Sequence, residues 1–114
     1  KRNGFLGLNF INLYASKAPK SSDELLKHAN HMYADLGGEK HFAFGADWFM
    51  DERYSNLYDK LGVDAFFYQR YGDASQYHVF LEDMKSKYGL NNDQLKDLAY
   101  RNFISFAERI WKTR

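Results

Sequence analysis

The stretch SSDELLKHANHMYADLGGEKHFAFGAD, residues 21–47, decides how the chain folds, because a 3.6-residue period gives way in it to an unbroken apolar run. Ser21 and Glu24 have the spacing of a capping box. Leu25, Leu26, Ala29, Met32, Tyr33 and Leu36 then fall on one side of a helical wheel. Gly37 and Gly38 predict the end of that helix, since glycine takes the left-handed conformation that closes a helix at no steric cost. Phe42 to Gly45 follows as a strand, and Asp47 stands just beyond it, in front of Trp48, Phe49 and Met50. A carboxylate buried unpaired in that company would be costly, so Asp47 either caps a turn or meets something charged.

On the N-terminal side, GFLGLNF at residues 4–10 is a short apolar run that predicts a strand buried on both faces. Residues 12–20 contain the single proline, Pro19, and read as a loop. Residues 4–46 thus spell one βαβ unit, with parallel pairing and a right-handed crossover. On the C-terminal side, residues 48–71 carry Trp48, Phe49, Tyr54, Tyr58, Phe66, Phe67, Tyr68 and Tyr71. So long and aromatic a connection lids a site, meets a partner or packs in the core. A helix is predicted from Tyr77 to Tyr88, with Tyr77, Phe80, Leu81, Met84 and Tyr88 on one face and Gly89 as its stop. The last helix starts near Asn91 or Asn92, and its stripe is Leu95, Leu98, Ala99, Phe103, Phe106 and Ile110. Asn102 lies within that stripe, so its amide must find backbone partners.

The composition limits the classes of function. At 45% hydrophobic and 18% aromatic, 114 residues suffice for one small domain with a core. Sixteen basic residues are interspersed with fifteen acidic ones for a net charge of +1, so no footprint for nucleic acid or an anionic membrane is present. No apolar run approaches the length of a membrane span. With no cysteine, a disulfide framework and a thiolate zinc site are both excluded. The opening KRNGF, with neither an initiator methionine nor a helix cap, suggests an internal cut in a longer chain.

HANHMYADLGGEKHFAFGADW resembles the segment of the membrane dipeptidase (renal dipeptidase) family of zinc peptidases in which a helix with an H-x-D-H-like pattern leads into a strand ending G-[SG]-D-F. His28, His31, Gly37, His41, Gly45 and Asp47 align, with one residue inserted near Gly38. GDASQYHVFLEDM is similar to the family's D-V-S-K-Y-P-N-L stretch. YRNFISFAERIW is similar to its closing G-N-F-x-R-V-F helix through Asn102 and Phe103, and GFLGLNF to its G-V-V-M-V-N-F strand. Members of the family resemble a (β/α)8 TIM barrel, which needs about 250 residues. The resemblance therefore implies that residues 1–114 are a single partial domain: the last two βα units and terminal helices of such a barrel, mainly helical with two short parallel strands.

The implied activity is hydrolysis of the peptide bond of dipeptides with two zinc ions, the fragment alone being inactive. Asp47 is implied to be both catalytic and substrate-binding: it would contact the substrate's free amino group and handle the proton of the attacking water. The family's zinc ligands, an H-x-D, a glutamate and two further histidines, would all lie upstream, so no metal ligand is assigned within this chain. His28 and His31 are close enough on one helix to share a metal in principle, but the implied barrel puts that helix outside, far from the metal. His41 would sit at the wrong end of its strand, and His78 replaces a family proline. The family's G-[SG]-D-F-D-G continues here as Asp47, Trp48, Phe49 and Met50, which leaves substrate preference open. A bulkier aromatic segment could narrow the pocket or form a homodimer interface. The alternative function is a non-catalytic interaction module derived from the same barrel, using residues 48–71.

Overall fold

Two short parallel strands lie against a mainly helical body in the computed structural model, which describes residues 4–15, 21–47, 59–60, 62 and 66–112. Strand β1 is Leu6–Leu8 and β2 is Phe42–Phe44, paired in parallel with Leu6 opposite Phe42 and Leu8 opposite Phe44. Between them come the short helix α1, Asn12–Ala15, and helix α2, Ser22–Asn30, which a π turn, His31–Asp35, prolongs. After β2 follow two 3₁₀ turns, Gln69–Tyr71 and Ala74–Gln76, and helix α3, Tyr77–Tyr88. Helix α4, Asn92–Lys96, runs through a second π turn, Asp97–Arg101, into α5, Asn102–Lys112. The βαβ order and parallel pairing are those expected from the sequence.

The core is aromatic. Phe10, Tyr71 and Phe80 are fully buried, and the Phe80 ring lies 5.1 Å from that of Phe10, 5.4 Å from Tyr71 and 5.5 Å from Phe44. Leu25, Leu26 and Ala29 close this core from α2, and Met84 from α3. A second cluster fixes α5 against the start of β1, where Phe5 stacks on Phe106 at 5.0 Å and meets Phe103 edge-on at 6.0 Å.

Several local expectations are corrected. The first strand covers three residues and not the whole run 4–10, and it is not buried on both faces, because Leu6 is 47% exposed with no strand beyond it among the described residues. Residues 12–15 are helical and not loop, and 16–20 lie outside the described residues. Ser21 does cap α2, but its hydroxyl accepts from the Asp23 amide, while the Glu24 carboxylate turns to Lys27 at 2.7 Å. The reciprocal capping box forms instead at Asn91 and Gln94, where both side chains bond the other's backbone amide. Leu36, Phe103 and Ile110 are exposed although they were expected on buried stripes. Each follows a π turn, which takes an extra residue per turn and rotates what comes after it away from a simple 3.6-residue wheel.

Asn102 is buried, as its place in the stripe requires. Its amide nitrogen donates to the carbonyls of Glu39 at 2.7 Å and Phe42 at 2.9 Å, tying α5 to the entrance of β2. Asn102→Leu should therefore destabilise the protein by about 1–3 kcal/mol, because both carbonyls lose a donor and that of Phe42 loses it at a buried site. A denaturant midpoint unchanged from wild type would mean that solvent replaces the amide.

Candidate functional site at the strand C-termini

Parallel strands present their C-terminal ends on one side, where α/β proteins assemble their sites. Here the ladder continues past β2: the Gly45 amide donates to Leu8 at 3.0 Å and the Phe10 amide donates to Ala46 at 3.2 Å. Gly45 makes that continuation feasible, since a Cβ on it would stand 3.0 Å from the Cα of Gly7 on the neighbouring strand. Asp47 comes one residue after the last ladder bond.

Asp47 is exposed, and its φ of 58° puts it in the left-handed region. Few side chains other than those of aspartate and asparagine accept that conformation readily. Its carboxylate faces the other strand's end, where the Asn9 amide nitrogen approaches Oδ2 at 3.5 Å. Asn9 is held for that contact by its own turn, as its Oδ1 accepts from the Ile11 amide at 2.7 Å. The two strand ends thus share an outward-facing carboxylate and an amide that donates toward it. Such a pair can accept a proton, bind an ammonium group or orient a water.

The other expected residues are dispersed. His28 and His31 are exposed on α2 and its π turn, and His31 Nδ1 lies 2.8 Å from the Asp35 carboxylate. His78, near the start of α3, donates from Nδ1 to the Ser75 carbonyl at 2.7 Å. Among the described residues no three His, Asp or Glu side chains come together as a metal site. No helix among them is long and apolar enough to cross a membrane. Of the aromatic segment, Phe66, Phe67, Tyr68 and Tyr71 are buried, while residues 48–58 lie outside the described part.

A second polar constellation was not singled out in the sequence. Arg70 grips Asp83 of α3 with two nitrogens at 2.6 and 2.8 Å, and the buried Tyr71 hydroxyl donates to the same carboxylate at 2.6 Å. Only the thirteen-residue separation of Arg70 and Asp83 across a turn and a helix could have hinted at the pairing, and many pairs share it. Hydrogen bonding from Arg70 holds the Asp83 carboxyl below the usual carboxylate range, and burial pushes the Tyr71 phenol up. Because the folded carboxyl is the stronger acid, its stabilisation is fully present above the unfolded pKa of about 3.9 and is lost as pH falls through the lower folded value. Asp83→Asn should accordingly lower the melting temperature at neutral pH. The difference from wild type should shrink as pH falls below about 3.9, the ordinary carboxylate value. A gap that persisted in acid would contradict the ion-pair account.

Scans against protein-family models, curated proteins and solved structures find no match for this chain. The functional reading therefore rests on its own residues and their placement.

Proposed function

We propose that the chain is the C-terminal part of a zinc-dependent dipeptidase of the membrane dipeptidase type, with Asp47 as the catalytic and substrate-binding carboxylate it contributes. The observation that carries this reading is an exposed aspartate at the C-terminal end of a parallel strand, held in a left-handed conformation beside Asn9. The order β1, α2, β2 and the open outer edges of the two described strands are in keeping with the end of a larger barrel. In that setting the ionised Asp47 carboxylate holds the substrate ammonium, then takes a proton from the water that attacks the carbonyl and returns it to the amine released when the C–N bond breaks. Asn9 lies beside the carboxylate, with its amide nitrogen 3.5 Å from Oδ2. When bound, zinc would polarise the scissile carbonyl, with ligands from chain that precedes residue 1.

The buried rings of Phe66, Phe67, Tyr68 and Tyr71 weigh against a contact module built on that end of the aromatic segment. The preceding sequence of the full polypeptide tests the choice. An H-x-D, a glutamate and two histidines at successive strand ends support the dipeptidase. A precursor lacking them would leave Asp47 without a reaction to serve.

A further inference from the structure

Asn9 stands beside a patch of bare backbone. Leu8 and Phe10 on either side of it are buried, so the alternation of extended chain turns the Asn9 side chain to the face away from the core, the face of Gly7 two residues before it. Gly7 and its neighbour on the other strand, Gly45, are both exposed. Glycine at such a place lets a ligand come close to the backbone. The geometry points to Asn9 as a second substrate-binding residue, whose amide donates to the carbonyl oxygen of the substrate's N-terminal residue while Asp47 holds its ammonium group, a role that rests on the dipeptidase reading.

The Asn9 side chain is fixed at one end and unspent at the other. Its Oδ1 accepts from the Ile11 amide at 2.7 Å, and since a backbone N–H is met only by an acceptor, Nδ2 is the arm left toward Asp47. The anchor is firm. Ile11 is buried, and Asn12 after it donates from its backbone to Phe66 at 2.7 Å and from its side chain to Phe67 at 3.1 Å. Nδ2 carries two N–H bonds, and its contact with Asp47 at 3.5 Å is too long to occupy either of them fully. A donor already held in place by its own turn costs a ligand little ordering entropy.

The carboxylate and the amide nitrogen present an acceptor and a donor side by side. The N-terminal residue of a dipeptide presents the reverse, an ammonium donor and a carbonyl acceptor with only Cα and the carbonyl carbon between them. Binding the ammonium at Asp47 therefore brings the carbonyl oxygen toward Nδ2. Because the amide is neutral, it leaves the charge of Asp47 free for the ammonium and for the proton of the water, which a lysine or arginine at this place would not. As the water oxygen bonds to the carbonyl carbon, the π pair moves onto the carbonyl oxygen and its proton passes to Asp47. The Asn9 N–H then meets more negative charge than it met in the substrate, so it favours the tetrahedral intermediate over the ground state. The pair returns when the C–N bond breaks and the amine takes the proton.

Hydrolysis of alanylalanine by the full-length protein separates this role from that of a turn residue. Asn9→Asp and Asn9→Ser each keep an oxygen for the Ile11 amide, so melting curves should match wild type. Neither keeps an N–H for the substrate. In Asn9→Asp, kcat/KM should fall about 10²- to 10³-fold, the usual cost of one lost donor to a developing oxyanion, and in Asn9→Ser by about tenfold or more. The phosphinate analogue of the dipeptide, in which a tetrahedral phosphorus with a negative oxygen replaces the planar carbonyl, should bind each variant more weakly by a similar factor. Rates within a few-fold of wild type in both variants would reduce Asn9 to its turn and overturn the role, and so would slower variants that bind the phosphinate as tightly as wild type. Either result leaves the dipeptidase reading standing as long as wild type cleaves the dipeptide and Asp47→Asn does not. A wild type that cleaves no dipeptide would remove that reading, and the role of Asn9 with it.

Discussion

On the proposed dipeptidase reading, Asp47→Asn in the full-length protein is expected to keep its fold and lose its turnover. The amide is nearly isosteric, and asparagine accepts the left-handed conformation recorded at this position at least as readily as aspartate. The Asn9 contact at 3.5 Å is too long to contribute much stability, so the melting temperature should hardly move. Catalysis should fall by roughly 10²- to 10⁴-fold, since an amide can neither take nor return the proton. The Michaelis constant should rise as well, with the ammonium contact gone. If Asp47 were only a turn residue, the melting temperature would be equally unmoved but the rates would stay within a few-fold of wild type. Dipeptide hydrolysis measured beside a melting curve separates the two.

Phe80→Ala should be the most damaging single change to the fold. The ring is completely buried and meets Phe10, Phe44 and Tyr71 within 5.5 Å, so truncation leaves a cavity walled by other rigid rings that cannot collapse into it. Such truncations cost about 3–5 kcal/mol. A small domain holds about 5–15 kcal/mol in total, so much of the population would be unfolded or close to it. Glu82→Ala, two residues along the same helix but exposed, should stay within about 0.5 kcal/mol. Equal denaturation midpoints for the two variants would mean that the aromatic cluster is not the core.

What was legible in the sequence is what depends on local period and punctuation. Helix α3 begins and ends where Tyr77, Tyr88 and Gly89 predict, because its apolar spacing is regular and Gly89 adopts φ 71°. The strand at Phe42–Phe44 and its parallel partner were also readable, as was the need of Asn102 for backbone carbonyls. The π turns at His31–Asp35 and Asp97–Arg101 were not, since no residue in HMYAD or DLAYR demands a wider turn and the choice is made by packing. They moved Leu36, Phe103 and Ile110 out of the stripes a regular wheel gives them. In the candidate site, the position of Asp47 followed from its place after an apolar strand. Its partner Asn9 did not, because that contact depends on how closely Gly7 and Gly45 let the strand ends approach. The Arg70, Tyr71 and Asp83 cluster was hidden for a similar reason: it joins a 3₁₀ turn to a helix, and neither has a pattern that names its partner.

The central claim is that Asp47 serves a dipeptidase, and the most direct measurement is the initial rate of dipeptide hydrolysis by the full-length protein, wild type and Asp47→Asn, with metal content determined on the same samples. The account predicts that both proteins carry zinc and that only the wild type releases free amino acids at an appreciable rate. Equal rates with zinc retained, or a zinc-loaded wild type that cleaves no dipeptide, would contradict it.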